Sequence, residues 1–141
     1  MSSTIQAIIT EAFQTIGVVA DGRSPTATQS QVALTVMNDR IMSQQRDGWR
    51  LGWFPQTNVA ATAPLRDEDI GEVKLCLAAW LAPKYGVTID PVKDPTDPSE
   101  LGNQIKDAFR MLTKRSILFT ESDLGELSRP QGGPWGGPNW L

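Results

Sequence analysis

Between residues 5 and 16, apolar side chains fall at Ile5, Ile8, Ile9, Ala12, Phe13 and Ile16. The steps are i, i+3, i+4, i+7, i+8 and i+11, a spacing that a helix gathers onto one face and a strand scatters over two. So complete a stripe commits the segment to an amphipathic helix whose apolar side must be buried. Ser3-Thr4-Ile5-Gln6 supplies its start, with Ser3 as cap and Gln6 as the reciprocal partner of a capping box. Gly17 stands where a left-handed residue closes a helix.

Three further segments offer faces for this one to bury against. After a loop marked by Asp21-Gly22 and Pro25, Thr28-Gln29-Ser30-Gln31 fits a second capping box. Ala33, Val36, Met37 and Ile41 then make a sparser stripe that runs to about Arg46, and Asp47-Gly48 stops it. The third helix begins near Arg66, where Asp67, Glu68, Asp69 and Glu72 place negative charge at the positive end of a helix dipole. Its stripe is Ile70, Val73, Leu77, Trp80 and Leu81, widened by Leu75, Cys76 and Ala79. A helix apolar over most of its circumference belongs at the centre of a bundle. Pro83 and Gly86 end it. For the fourth, Asp97 is the expected cap, Pro98 the first helical residue and Glu100 an acid in the first turn. Leu101, Ile105, Ala108, Phe109 and Leu112 carry that helix to about Phe119.

Trp49, Leu51 and Trp53 alternate with polar or small residues, the pattern of a short strand, and residues 59–63 are placed to close a hairpin with it. A two-stranded hairpin is marginal alone, so this one must pack on the helices or on a neighbouring molecule. The fold class expected is therefore all-α: a small four-helix bundle with a short β-hairpin insertion. A different kind of segment follows. Seven of the last thirteen residues are Gly or Pro, a density that no helix or central strand survives. Yet the segment carries Trp135, Trp140 and Leu141. One reading is a floppy end with chance aromatics. The sharper reading is an extended Gly/Pro/Trp-rich C-terminal arm that docks on another chain through Arg129, Pro130, Pro134, Trp135, Pro138, Trp140 and Leu141. Tryptophan is favoured at binding hot spots because it buries a large area with few rotors to freeze. The chain divides accordingly into a helical body, 1–125, and an arm, 126–141.

Composition narrows the function. Thirteen basic residues against sixteen acidic ones give a net charge of −3, the wrong sign for wrapping duplex DNA through many phosphates. The chain has no histidine, which removes the commonest general acid–base group and every Ser-His or Cys-His nucleophile. One cysteine, Cys76, makes neither an internal disulfide nor a Cys-rich zinc site. The longest apolar run falls far short of the roughly 20 residues of a membrane span, and the start lacks the pattern of a secretion signal. A soluble protein without membrane contact, cofactor, metal or catalytic residue is expected.

Other candidates carry bland readings beside sharp ones. Lys106, Arg110 and Lys114 recur every four residues with Arg115 adjoining, and this basic stripe is a solvated flank, a contact with an acidic neighbour, or a path for DNA phosphates. Trp49 and Trp53 are candidates for a hairpin contact between subunits. Asp90, Asp94 and Asp97 lie between prolines in a segment that reads as a solvated linker rather than a cation site. Glu100 and Glu121 are the acids that a cell-wall-degrading enzyme would need, without a second carboxylate at a definable separation.

Taken in order, several of these features resemble one family. The first helix ends in Glu-Ala-Phe-Gln-Thr-Ile-Gly-Val-Val-Ala, residues 11–20. A proline-containing loop follows, then a helix with Ala33, Met37 and Asn38, then Asp47-Gly48-Trp49. Leu81-Ala82-Pro83-Lys84-Tyr85-Gly86 closes the hydrophobic third helix. Order and spacing over nearly the whole chain are similar to the head-to-tail adaptor proteins of short-tailed bacteriophages, also called packaged-DNA stabilisation or tail accessory proteins. The resemblance implies a non-enzymatic virion protein at the head–tail junction, assembled from the host cytoplasm as a ring of twelve copies beneath the portal. Its implied partners are the portal protein, copies of itself, the next tail (nozzle) protein and, weakly and without sequence preference, the packaged double-stranded DNA in the channel. The rival expectation is a nucleic-acid-binding helical module of the DNA-packaging machinery.

Overall fold

A computed structural model describes residues 3–128, and over 118–128 its backbone alone. Helices α1 (Ile5–Thr15), α2 (Ala27–Arg46), α3 (Asp67–Leu81) and α4 (Leu101–Ser128) follow in order, with a 3-10 turn (Ala82–Tyr85) continuing α3. The helical reading holds, and so does the place of α3, which packs on α1, α2 and α4 alike. Ile5, Ile8, Ile9, Ala12 and Phe13 on α1 are fully buried, as the stripe requires. They meet Leu34, Met37 and Ile41 of α2 and Val73, Leu77 and Leu81 of α3 in one core. The Phe13 ring meets Tyr85 edge-on at 5.2 Å, tying α1 to the 3-10 turn.

Helix starts differ from the sequence reading, each for a hydrogen-bonding reason. Thr4, not Ser3, caps α1, its Oγ1 accepting the Ala7 N–H at 3.2 Å. The Ser3 carbonyl instead accepts the Ala63 N–H, while Ile5 and Gln6 donate to the carbonyls of Ala61 and Val59. Gln6, released from a capping role, donates to Ser30 of α2 at 3.2 Å. The capping box of α2 is Thr26 with Gln29, two residues earlier than Thr28 with Gln31. Both pairs have the right spacing, and starting at the first one after Pro25 adds backbone hydrogen bonds to the helix. At α4, Asp97 accepts from Ser99 rather than capping, and the Glu100 carboxylate turns back to the N–H groups of Lys93 and Asp94. The helix accordingly begins at Leu101, not at Pro98.

No strand forms among the described residues, so the hairpin insertion is corrected to two irregular segments. Residues 59–63 pair with the entry of α1, with one isolated antiparallel bridge between Thr4 and Thr62. That leaves them unavailable to 49–53, where Trp49 donates to the Gln44 carbonyl and the Arg50 and Trp53 backbone is met by side chains. The fourth helix is also longer than read: it passes the expected boundary at 125/126 and runs to Ser128. The rest of the arm, 129–141, lies outside the described residues. Among those described, no helix is long and apolar enough to cross a membrane.

Candidate functional site

The most constrained irregular segment is the strap that follows α2. Gly48, at φ +129, turns the chain away from the helix. The Trp49 indole N–H donates to Thr113 Oγ1 of α4 at 3.1 Å. Its ring packs on Trp80 of α3 and Phe109 of α4, with centroids 6.3 and 5.6 Å away. The Arg50 N–H donates to Ser116 Oγ at 2.9 Å. From there the strap crosses to α2. Gln45 brackets Trp53, accepting its N–H at 2.8 Å and donating to its carbonyl at 2.9 Å. Asn38 does the same to Gln56, at 3.0 and 2.8 Å, and also accepts the Trp53 indole N–H at 3.1 Å. Two side-chain amides thus replace the partner strand that the backbone lacks.

Trp49 and Trp53, expected as a contact between subunits, are therefore buried within their own chain, at 6% and 3% exposure. The large apolar side chain that the strap presents outward is Phe54, at 60%. Sequence reasoning missed Asn38, Gln45 and Phe54. The available signal was two amides seven residues apart on the side of α2 that carries Ile41.

The basic stripe splits. Lys106, Arg110 and Lys114 are exposed on one line of α4, together with Ile117 at 52% exposure. Arg110 pairs with Asp107 one turn back, at 2.9 Å. Arg115 lies about 100° further round than Lys114 and turns to α3. It binds Asp69 at 3.0 Å, Glu72 at 2.9 Å and the Glu68 carbonyl at 2.7 Å. The Glu72 hydrogen bond leads in raising the Arg115 guanidinium above its ordinary range, and Asp69 adds to it. Asp69 is wholly buried and takes a second cation, Arg66, at 2.9 Å. Arg115 is thus a fastener between α3 and α4, not part of an outward surface.

The acidic candidates close turns. Asp94 is held below the ordinary carboxylate range by hydrogen bonds from the Thr96 side chain and backbone, and Asp97 by those from the Ser99 backbone and side chain. Among the described residues no cluster of three His, Cys, Asp or Glu is placed to hold a metal ion. Glu100 has both carboxylate oxygens engaged by backbone N–H groups, and the side chain of Glu121 lies outside the described part. Cys76 is buried, and burial first, then the charge of Glu72, pushes its thiol up to about 12.

Two of the concavities on the described surface adjoin α4. One, of about 450 Å³, lies between the end of α1 and residues 87–93. The other, of about 340 Å³, is a mostly apolar groove between α3 and α4 lined by Gly71, Leu75, Ala108 and Met111. The arm residues Arg129, Pro130, Pro134, Trp135, Pro138, Trp140 and Leu141 lie outside the described residues. Compared with protein-family models and with curated protein sequences, the chain matches none.

Proposed function

We propose that this chain is a structural subunit of a phage head-to-tail junction. In this reading it forms a ring beneath the portal, extends the DNA channel, retains packaged DNA and gives the tail its attachment site. Support comes first from where the family-like residues fall. Gly17, Gly48 and Gly86 each follow a helix or its closing turn with positive φ, at 77°, 129° and 68°. The resemblance therefore rests on the punctuation of the fold rather than on scattered identities.

The observation that carries the reading is α4. Its 28 residues make a rod of about 42 Å, whereas the 15 residues of α3, on which it packs, span about 22 Å. Helix beyond the length of its support serves contact with something outside the body, which a ring subunit between two larger assemblies needs. The test is electron microscopy of the chain mixed with the portal ring of the same genome. An added annular layer is expected; portal rings with no added density refute the reading.

One observation favours a second reading, a nucleic-acid-binding packaging module: the exposed line of Lys106, Arg110 and Lys114. Three cations release only about three counterions, so binding through them fades steeply by physiological salt. A gel shift persisting at that salt supports the module; loss of the shift supports the adaptor.

A further inference from the structure

We propose that the arm of one copy adds as a strand to residues 87–90 of the next, seating Trp135 in the concavity beside them. The proposal rests on the ring reading and names the joint between neighbours. Gly86, at φ +68, releases the chain from the 3-10 turn, and residues 87–92 run on without helix or paired strand. Val87, Thr88 and Ile89 are three β-branched residues in succession, the kind that favours a strand. Val87 and Ile89 are half-buried against the core while Thr88 and Asp90 are exposed, which is a strand's alternation. Val87 donates its N–H to the Ala82 carbonyl at 2.9 Å. The N–H groups of Thr88 and Asp90, on the opposite edge of an extended chain, donate to nothing among the described residues. Pro91 falls on the Val87 edge and so leaves theirs uninterrupted. Concavities of about 450 and 470 Å³ flank the segment, the first lined by Ile16, Ile89 and Leu101 among others. An unpaired strand with room beside it is the receptor that strand addition uses.

The arm matches that receptor in phase. Its prolines stand at Pro130, Pro134 and Pro138, all an even number of residues apart. In an extended chain successive N–H groups point to alternate edges, so all three prolines fall on one edge. The other edge keeps every donor, from Gln131 through Gly133, Trp135 and Gly137 to Asn139. Such a segment pairs on one side only, and its proline side stops a further strand from adding. Gly133 and Gly137 share the face of Trp135, which leaves its ring clear of side chains from its own strand. Reach decides whose arm it is. The concavity opens at Glu100 and Leu101, and Ser128 lies about 40 Å away along α4. Trp135 is seven residues past Ser128 and reaches at most about 25 Å beyond it. The concavity of its own chain is out of range, so the seat belongs to another copy. Giving end and receiving end lie at opposite ends of α4, a heterologous contact that closes into a ring when repeated. Trp140 and Leu141, past the paired stretch, are left for the portal.

A photoreactive phenylalanine analogue at position 135 tests the joint, in an equal mixture of unlabelled and isotope-labelled full-length chains added to portal rings. Mixed-label cross-links from position 135 to residues 87–101 or to the end of α1 are expected. Cross-links within one copy, to portal alone or to nothing overturn the proposal. If an annulus forms and the mixed-label link lands elsewhere, the strand joint falls and the ring reading stands. If position 135 links to that site of another copy without an annulus on the portal, the joint stands and the ring reading falls. Two proline variants test the phase. Gly132→Pro adds a proline to the outer edge, and Gly133→Pro adds one to the pairing edge. Both are expected to melt where the parent does. Gly132→Pro should give the mixed-label link as the parent does, and Gly133→Pro at least about tenfold less of it, having lost a donor where the strands meet. Equal yields from the two variants overturn the proposal.

Discussion

Cys76 shows how far a single residue could be read ahead of the structure. Its place between Leu75 and Leu77 on an apolar helix marks a buried thiol, and it is fully buried. Its pKa belongs to the fold rather than to the sequence, because the desolvation comes from the surrounding core and the added push from Glu72. The consequence has a definite sign. A thiol whose folded pKa is raised from 9.0 to about 12 contributes stability in full below pH 9, lost as pH climbs toward 12. The difference in stability between the parent chain and Cys76→Ala should be flat below pH 9 and shift against the parent above it. A thiol reagent at pH 8 should label the native chain only through unfolding and the urea-unfolded chain at once. Rapid labelling of the native chain contradicts the burial. Asn38 and Gln45 make the opposite case. Nothing local in the sequence says that an amide on α2 will grip a backbone group up to 18 residues away, since that pairing exists only after the chain has turned at Gly48.

At the scale of elements, periodicity was legible and partnership was not. The stripe of α1 repeats within a turn or two, so it needs no knowledge of the rest of the fold. The alternation of Trp49, Leu51 and Trp53 was equally sound about direction, and all three side chains are buried. It misled about pairing, because period two records which side faces the core and not what satisfies the backbone. Arg115 parts from the Lys106, Arg110 and Lys114 line for a related reason: adjacency to Lys114 in sequence is about a third of a turn in a helix. Its position between Asp69 and Glu72 makes it the main polar link of α4 to α3. Arg115→Met leaves the wholly buried Asp69 with Arg66 as its remaining cation. Breaking a buried pair costs about 3–5 kcal/mol, and the surviving Arg66 places this variant near 3 kcal/mol, a melting temperature lower by roughly 10 °C. Asp69→Asn combined with Arg115→Met should recover part of the loss, since no unpaired charge is left inside. A calorimetric melt of the single and double variants reads both effects, and a single variant that melts with the parent removes Arg115 from the fastening.

For the whole molecule, the proposed role requires a body that folds without the arm. Among the described residues the core runs from Ile5 to Leu112. The anchor reading expects residues 129–141 to stand apart from that core. They carry Trp135, Trp140 and Leu141 after a helix nearly twice the length of the one it packs on. If that segment is the portal anchor, deleting it divides stability from attachment. A chain ending at Ser128 should melt within the repeat scatter of the full chain and lose measurable binding to the portal ring. Trp135→Ala and Trp140→Ala should each weaken binding by about 2 kcal/mol or more, the size of loss that marks a hot spot. A fall in melting temperature on truncation would assign the arm to the body instead. Portal binding unchanged by the truncation would move the anchor to the exposed line of Lys106, Arg110, Lys114 and Ile117, the other face that α4 turns outward.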